Sequence, residues 1–200
     1  MLSDDDLRFF ATHGWVIARQ VIDAAQCERT AAEVWEFAGL SPTNEASWLH
    51  PKPGGGMYHG HCQWQNRTAP RVHQAFSKLW GTERLWTSHD ATNLNFPVGD
   101  PQAPEGDLHW DCDMRLWSLE EAKARRPIVG GVQGVLYLVD TPAANGAFVC
   151  IPGFHLKLDA WLDTLPPGTD NLRTAMNDEF RGSPDIQRIE AKAGDLVIWE

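Results

Sequence analysis

Apolar residues recur at helical spacing in the first third of the chain and in short strand-like runs through most of the rest. Ser3 with Asp6 three residues later predicts a capping box, and Leu7, Phe10 and Ala11 give one apolar face to a short helix that Gly14 ends. Trp15 to Val21 reads as a strand. Asp23 with Gln26 repeats the capping arrangement, and Cys27, Ala31, Val34, Trp35 and Ala38 predict an amphipathic helix that stops at Gly39. From Leu40 to Ala69 the periodicity lapses among Pro42, Pro51, Pro53 and Gly54-Gly55-Gly56. A loop of that length in a compact domain is usually a lid or a binding segment. Pro70 then opens a helix with the stripe Val72, Ala75, Phe76, Leu79 and Trp80, closed by Gly81.

Strands follow. Leu85 to Phe96 is rich in strand formers at its start, and Pro97, Pro101 and Pro104 break the pairing before a second run begins at Leu108. Ser118 and Glu121 predict a cap for a short helix that Pro127 ends. Val132 to Val139 and Ala147 to Ile151 are apolar runs joined by the turn-forming Asp140 to Gly146, which predicts a hairpin in the core sheet. Leu156, Leu158, Trp161, Leu162 and Leu165 suggest one helix, Leu172 to Phe180 another. Ile186 to Ile189 and Leu196 to Trp199 are the last strands. Helices early and strands later predict an α+β domain built on a barrel or double-sheet jelly roll.

Two hundred residues with 42% hydrophobic content suffice for one core, so residues 1–200 are read as a single domain. A formal charge of −10 offers no long-range attraction for nucleic acid or for anionic membranes. Cys27, Cys62, Cys112 and Cys150 form no C-x-x-C pair, which argues against a zinc ribbon or a disulfide framework. The acidic start Asp4-Asp5-Asp6 and the lack of a long apolar run are unlike a signal peptide or a membrane span. The expectation is a cytoplasmic protein with a reduced thiol complement.

Chemistry concentrates in Leu108-His109-Trp110-Asp111-Cys112-Asp113. On a strand His109 and Asp111 share one face and Trp110 takes the other. One imidazole and one carboxylate are two thirds of the facial triad that holds non-haem Fe(II) with positions open for O2 and a co-substrate. Taken alone the motif is weak, because His-x-Asp occurs by chance in many chains of this length, and the alternative is a polar strand end with a hydrogen-bonded histidine.

Five ordered segments extend the pattern: Phe9-Phe10-Ala11-Thr12-His13-Gly14-Trp15-Val16-Ile17; Leu108-His109-Trp110-Asp111; Gly134 to Asp140 with Asn145-Gly146-Ala147-Phe148; Ile151-Pro152-Gly153-Phe154-His155; and Gly194-Asp195-Leu196-Val197-Ile198-Trp199. Together they resemble the phytanoyl-CoA dioxygenase family over nearly the whole chain. The resemblance implies a double-stranded β-helix core with N-terminal and flanking helices, and Fe(II) and 2-oxoglutarate as cofactors. It also implies O2 as a reactant, a small organic substrate, and His109 and Asp111 as catalytic metal ligands. In the family a distal His and then an Arg for the 2-oxoglutarate carboxylate follow the Gly-Asp-Leu-Val-Ile-Trp segment, and neither is found at a matching position before Glu200.

Three explanations compete for that departure. The favoured one is that the domain is C-terminally truncated at Glu200. In the second, another group completes the site, with His155 the main candidate and Glu200 the next. In the third, the chain is a non-catalytic jelly-roll binding protein with an incomplete metal site. Around the pair, Asp113 is a candidate to orient His109 or else a solvent-facing carboxylate at the strand end, and Asn93, Asn95 and Gln133 are candidate co-substrate amides whose alternative role is core packing. Trp110 and Trp117 read as packing residues. His59, His61, Gln63, Trp64 and Arg67 form a second cluster at the end of the Gly-rich loop, read first as surface residues and otherwise as lid groups that reach the pocket or the substrate, and Arg71, Arg84 and Arg115 are candidate anchors for an acidic substrate group or surface ion-pair partners.

Overall fold

In the computed structural model, residues 1–49, 59–88, 91–92, 94–95, 108, 118–128 and 131–200 are described. The first helix, α1 (Asp4–His13), forms as its cap predicts. Asp6 N–H donates to Ser3 Oγ at 3.1 Å and Ser3 N–H to Asp6 Oδ2 at 2.7 Å. Gly14 ends it in the left-handed region at φ 76°, its N–H bonded to Phe10 C=O at 2.7 Å. The strand β1 (Trp15–Ala18) follows directly. Then α2 (Ala24–Ala38) is capped by Asp23, which accepts from Gln26 N–H at 2.7 Å.

Among the described residues, two pieces of regular structure interrupt the long segment read as a loop: a 3-10 turn at Glu45–Leu49 and the helix α3 (His61–Arg67). Helix α3 is too short for periodicity to register, and a polar network secures it. Gln26 Nε2 donates to Cys62 C=O at 3.2 Å and to Asn66 Oδ1 at 2.8 Å, and Asn66 Nδ2 donates to Thr30 Oγ1 at 3.0 Å. Helix α4 (Pro70–Trp80) comes next, with Pro70 in its first turn and Gly81 closing it. Residues 85–88, 91–92 and 94–95, read as part of a strand, carry no sheet pairing.

Further along, the described elements are α5 (Leu119–Ala124), β2 (Gln133–Leu136), β3 (Phe148–Cys150), a 3-10 turn (Phe154–Leu156), α6 (Leu158–Thr164), α7 (Leu172–Phe180), β4 (Gln187–Ile189) and β5 (Leu196–Trp199). Strands β1, β5 and β2 form one antiparallel sheet in that order, and β3 pairs antiparallel with β4 in another. The hairpin expected between the runs at 132–139 and 147–151 is therefore absent, because each run pairs with a late strand instead. Local turn chemistry fixes that the chain reverses at 140–146, but the choice of partner is a long-range matter.

Strand alternation sorts the core into layers. Val16, Ala18, Leu196, Ile198 and Leu136 face a cluster completed by Leu2, by Phe10 of α1 and by Ala75 and Phe76 of α4. On the opposite face Trp15, Ile17, Val135 and Val197 meet Phe148, Cys150 and Ile189 of the second sheet. The two sheets thus share one apolar layer, with helices covering the far side of the larger one. A separate cluster joins α5, α6 and α7 through Leu119, Ala122, Leu158, Trp161, Leu162, Leu172 and Met176, and Leu108 is buried within it.

Candidate functional site

Leu108 is the described residue next to the proposed metal pair, and it is held twice. Its side chain is buried in the α5–α7 cluster, and the carboxamide of Asn177 on α7 takes its backbone on both sides. Nothing in the sequence pattern singled out Asn177, because an Asn in a helix interior reads as a solvent-facing residue until its partner is known. His109, Asp111, Asp113, Asn93, Trp110, Trp117 and Arg115 lie outside the described residues.

Gln133 opens β2 opposite Trp199, and Trp199 in turn faces Trp15 across β5 and β1. Gln133 shares its strand face with Val135, so it lies on the inter-sheet side. Phe148 of the second sheet stacks on Trp199 with ring centres 4.4 Å apart. Asn95 is exposed, and its Nδ2 donates to the Gly146 carbonyl at 3.2 Å, on the turn that enters β3.

One phenol links the sheets. Tyr137 Oη donates to Ile189 C=O at 3.2 Å and accepts from Phe148 N–H at 2.7 Å, and burial raises its pKa. Cys150 is in the same layer, where burial pushes its thiol up to about 12, so it stays protonated and is a poor competitor for a metal at neutral pH.

The Gly194-Asp195 pair has a structural task. Gly194 adopts φ 89°, and a Cβ there would come within 2.4 Å of the Ile22 carbonyl oxygen. Asp195, 1% exposed, accepts from Gln20 N–H at 2.9 Å, Arg19 Nη1 at 2.7 Å and Lys192 N–H at 3.1 Å. Burial alone would raise its pKa, but these donors outweigh it and hold the carboxyl below its ordinary range.

His155, weighed as an in-chain third ligand, is engaged elsewhere. Its ring packs on Gly14, whose hypothetical Cβ would sit 2.5 Å from His155 Nδ1, and Nε2 lies 3.3 Å from the Ala11 carbonyl at the end of α1. Glu200 is exposed, and its N–H donates to Gly14 C=O at 3.0 Å. Among the described residues no group of three or more His, Cys, Asp or Glu side chains is arranged to hold a metal.

The second cluster forms a small surface stack. His59 lies on Trp64 with ring centres 6.2 Å apart, Arg67 sits over the same indole at 4.7 Å, and Arg67 Nη1 approaches His59 Nδ1 at 3.3 Å. Gln63 is buried and donates through Nε2 to Thr92 Oγ1, while His61 is exposed. Arg71 Nη2 donates to the Arg19 carbonyl at 3.3 Å, and Arg84 is exposed. No described helix is long and apolar enough to cross a membrane.

The family model for phytanoyl-CoA dioxygenase (PhyH) matches residues 10–200. The chain belongs to the phytanoyl-CoA dioxygenase family. Within this family it is similar to a Dictyostelium discoideum protein named "Putative phytanoyl-CoA dioxygenase", at 21% identity, with 96% of this chain and 66% of that protein covered. It is also similar to the Ava biosynthesis cluster protein O of Aspergillus versicolor, at 22% identity over 96% of this chain and 68% of the relative. This phytanoyl-CoA dioxygenase family member thus spans about two thirds of the length of the curated relatives it matches.

Among solved structures, the fold is similar to the non-heme alpha-ketoglutarate-dependent epimerase SnoN from nogalamycin biosynthesis. The TM-score is 0.54 at 17% identity, covering 98% of this chain and 70% of that one. SnoN in complex with Fe3+, alpha-ketoglutarate and nogalamycin RO gives a TM-score of 0.52 at 14% identity, covering 98% and 73%. These likenesses establish a shared α+β fold for the family member described here.

Proposed function

We propose that this chain is a double-stranded β-helix domain of an Fe(II)- and 2-oxoglutarate-dependent oxygenase that hydroxylates a small organic molecule. His109 and Asp111 are its metal ligands in this reading. Family membership over residues 10–200 is the observation that carries it. The donor chemistry fits: one imidazole and one carboxylate suit Fe(II), and the thiol of Cys150 is held protonated. When bound, the metal and 2-oxoglutarate supply an oxidation of substrate coupled to release of succinate and CO2.

The chain's own groups do the holding and the positioning. His109 must remain neutral and Asp111 ionised to serve as ligands, and Asn177 anchors the backbone one residue before His109. Gln133, on the inter-sheet face, and Asn93 with Asn95 are the amides assigned to the co-substrate.

Anaerobic addition of Fe(II) and then 2-oxoglutarate tests the reading. A weak visible charge-transfer band, and succinate release once O2 is admitted, are the expected results. His109→Ala and Asp111→Ala should each abolish metal retention with little change in Tm. Iron retained by both variants, or no band at any metal concentration, overturns the assignment, and the latter favours a non-catalytic binding protein.

A further inference from the structure

Among the described strands, β1 lies at the edge of the larger sheet and pairs with β5 alone. Glu200 N–H donates to Gly14 C=O at 3.0 Å, which makes Gly14 opposite Glu200 a bonded position of the antiparallel ladder. Bonded and non-bonded positions alternate along such a ladder. Val16 opposite Ile198 and Ala18 opposite Leu196 therefore turn their backbone groups toward β5, and the N–H and C=O of Trp15 and Ile17 turn outward. Among the described residues none of those four outward groups is hydrogen-bonded.

Space lies against that edge. A depression of about 290 Å³ runs between α1 and β1, lined by Leu2, Asp6, Phe9, Trp15, Ile17 and Arg19. Leu2 belongs to the layer on the Val16 side of the sheet, Trp15 and Ile17 to the layer on the other side. The depression thus straddles the strand, along its edge rather than over one face. Sheet edges in soluble proteins are commonly blunted by a charge, a proline or a bulge within the strand, or by a covering segment. Trp15-Val16-Ile17-Ala18 has neither charge nor proline, and α1 leaves the depression open beside it.

The geometry selects the occupant. Outward N–H and C=O groups that recur every second residue, about 6.8 Å apart, are matched by an extended backbone and not by a helix. A second folded copy offering its own β1 meets an obstacle, because α1 flanks that strand too and both helices would have to be displaced. A single extended segment fits between helix and edge. Its side chains alternate, so apolar residues at every second position can meet Phe9 and Trp15, whose rings pack edge-on at 5.0 Å. Charge adds a requirement. Ser3 holds Asp6 Oδ2 and keeps that carboxyl below its ordinary range, and among the described residues no cation pairs with it. Arg19, the cation of the same depression, is turned to Asp195.

We propose that the outer edge of β1, with the facing side of α1, docks an extended peptide of a partner protein that adds one strand to the sheet. The peptide carries apolar side chains at alternate positions and a basic side chain for Asp6. The inference goes beyond the oxygenase reading and needs neither metal nor co-substrate.

The probe is the synthetic peptide acetyl-Lys-Thr-Val-Thr-Val-Thr-amide, added to the full 15N-labelled chain without metal. Saturable shifts and slowed amide-hydrogen exchange are expected at Ile17, whose N–H faces outward, while Val16 and Ala18, already bonded to β5, keep their rates. An added strand bonds through one edge only. Of two peptides N-methylated at alternate residues, in the Thr frame or in the Lys and Val frame, one should therefore lose binding and the other keep it. With Glu in place of Lys the peptide should bind about fivefold more weakly. Equal behaviour of the two N-methylated peptides, an unprotected Ile17 at saturation, or no binding at millimolar peptide overturns the proposal. Protection of Ile17 that rises with protein concentration alone, with a dimer in sedimentation velocity, overturns it in favour of a second copy.

Discussion

The side chain of Asn177 brackets the backbone of Leu108: Oδ1 accepts from Leu108 N–H at 3.0 Å and Nδ2 donates to Leu108 C=O at 2.8 Å. A single carboxamide thus does for this residue what a neighbouring strand does in a ladder, and both partners are buried. Replacing Asn177 by Leu leaves one N–H and one C=O without partners in the interior, a loss of about 2–4 kcal/mol. Urea denaturation should show that drop. On the oxygenase reading the same variant should also bind Fe(II) more weakly, because His109 follows Leu108 directly.

Tyr137→Phe removes the phenol oxygen that joins β4 to the start of β3. The Ile189 carbonyl and the Phe148 N–H then lose their partner, and a destabilisation of about 1–3 kcal/mol is expected. Burial raises the folded pKa of Tyr137, so its contribution is complete below the unfolded value near 10 and is lost as pH rises beyond it. Wild type should therefore lose stability in alkaline solution in a way that Tyr137→Phe does not.

Asp195 gives the opposite sign. Its folded pKa is depressed, burial opposing the change and the Gln20, Arg19 and Lys192 donors outweighing it. The stabilisation is present above about pH 4 and disappears as pH falls through the lower folded value. Asp195→Asn should lose about 1–3 kcal/mol at pH 7 and flatten the acid limb of a plot of stability against pH. An acid limb unchanged from wild type would mean that another carboxylate governs it.

Capping chemistry made the helices legible. Ser3 with Asp6, Asp23 with Gln26 and Ser118 with Glu121 each place a side chain on a backbone N–H three residues away, and the left-handed Gly14, Gly39 and Gly81 close their helices as read. All of that is decided within one turn of chain. Strand partners are not: whether the run at 133–136 meets the run at 148–150 or the one at 196–199 depends on Tyr137, Thr141 and Ala191, which join across the intervening sequence. The candidate site divides the same way. His109 and Asp111 are legible as candidates once the ordered segments around them are read together, and Gln133 is a candidate amide of the same reading. Asn177 becomes visible only once α7 meets Leu108.

The joint between the end of α1 and the Pro152-Gly153-Phe154-His155 turn also governs the order of events during synthesis. Gly153 N–H reaches His13 C=O at 2.8 Å, and His155 Nε2 reaches the carbonyl of Ala11, 144 positions earlier. A chain emerging from the ribosome can wind α1 at once, yet it cannot seal that helix until the turn has been made. Contacts of such wide separation form late. Helix α1, made well before that turn, is thereby among the last pieces to be locked in place.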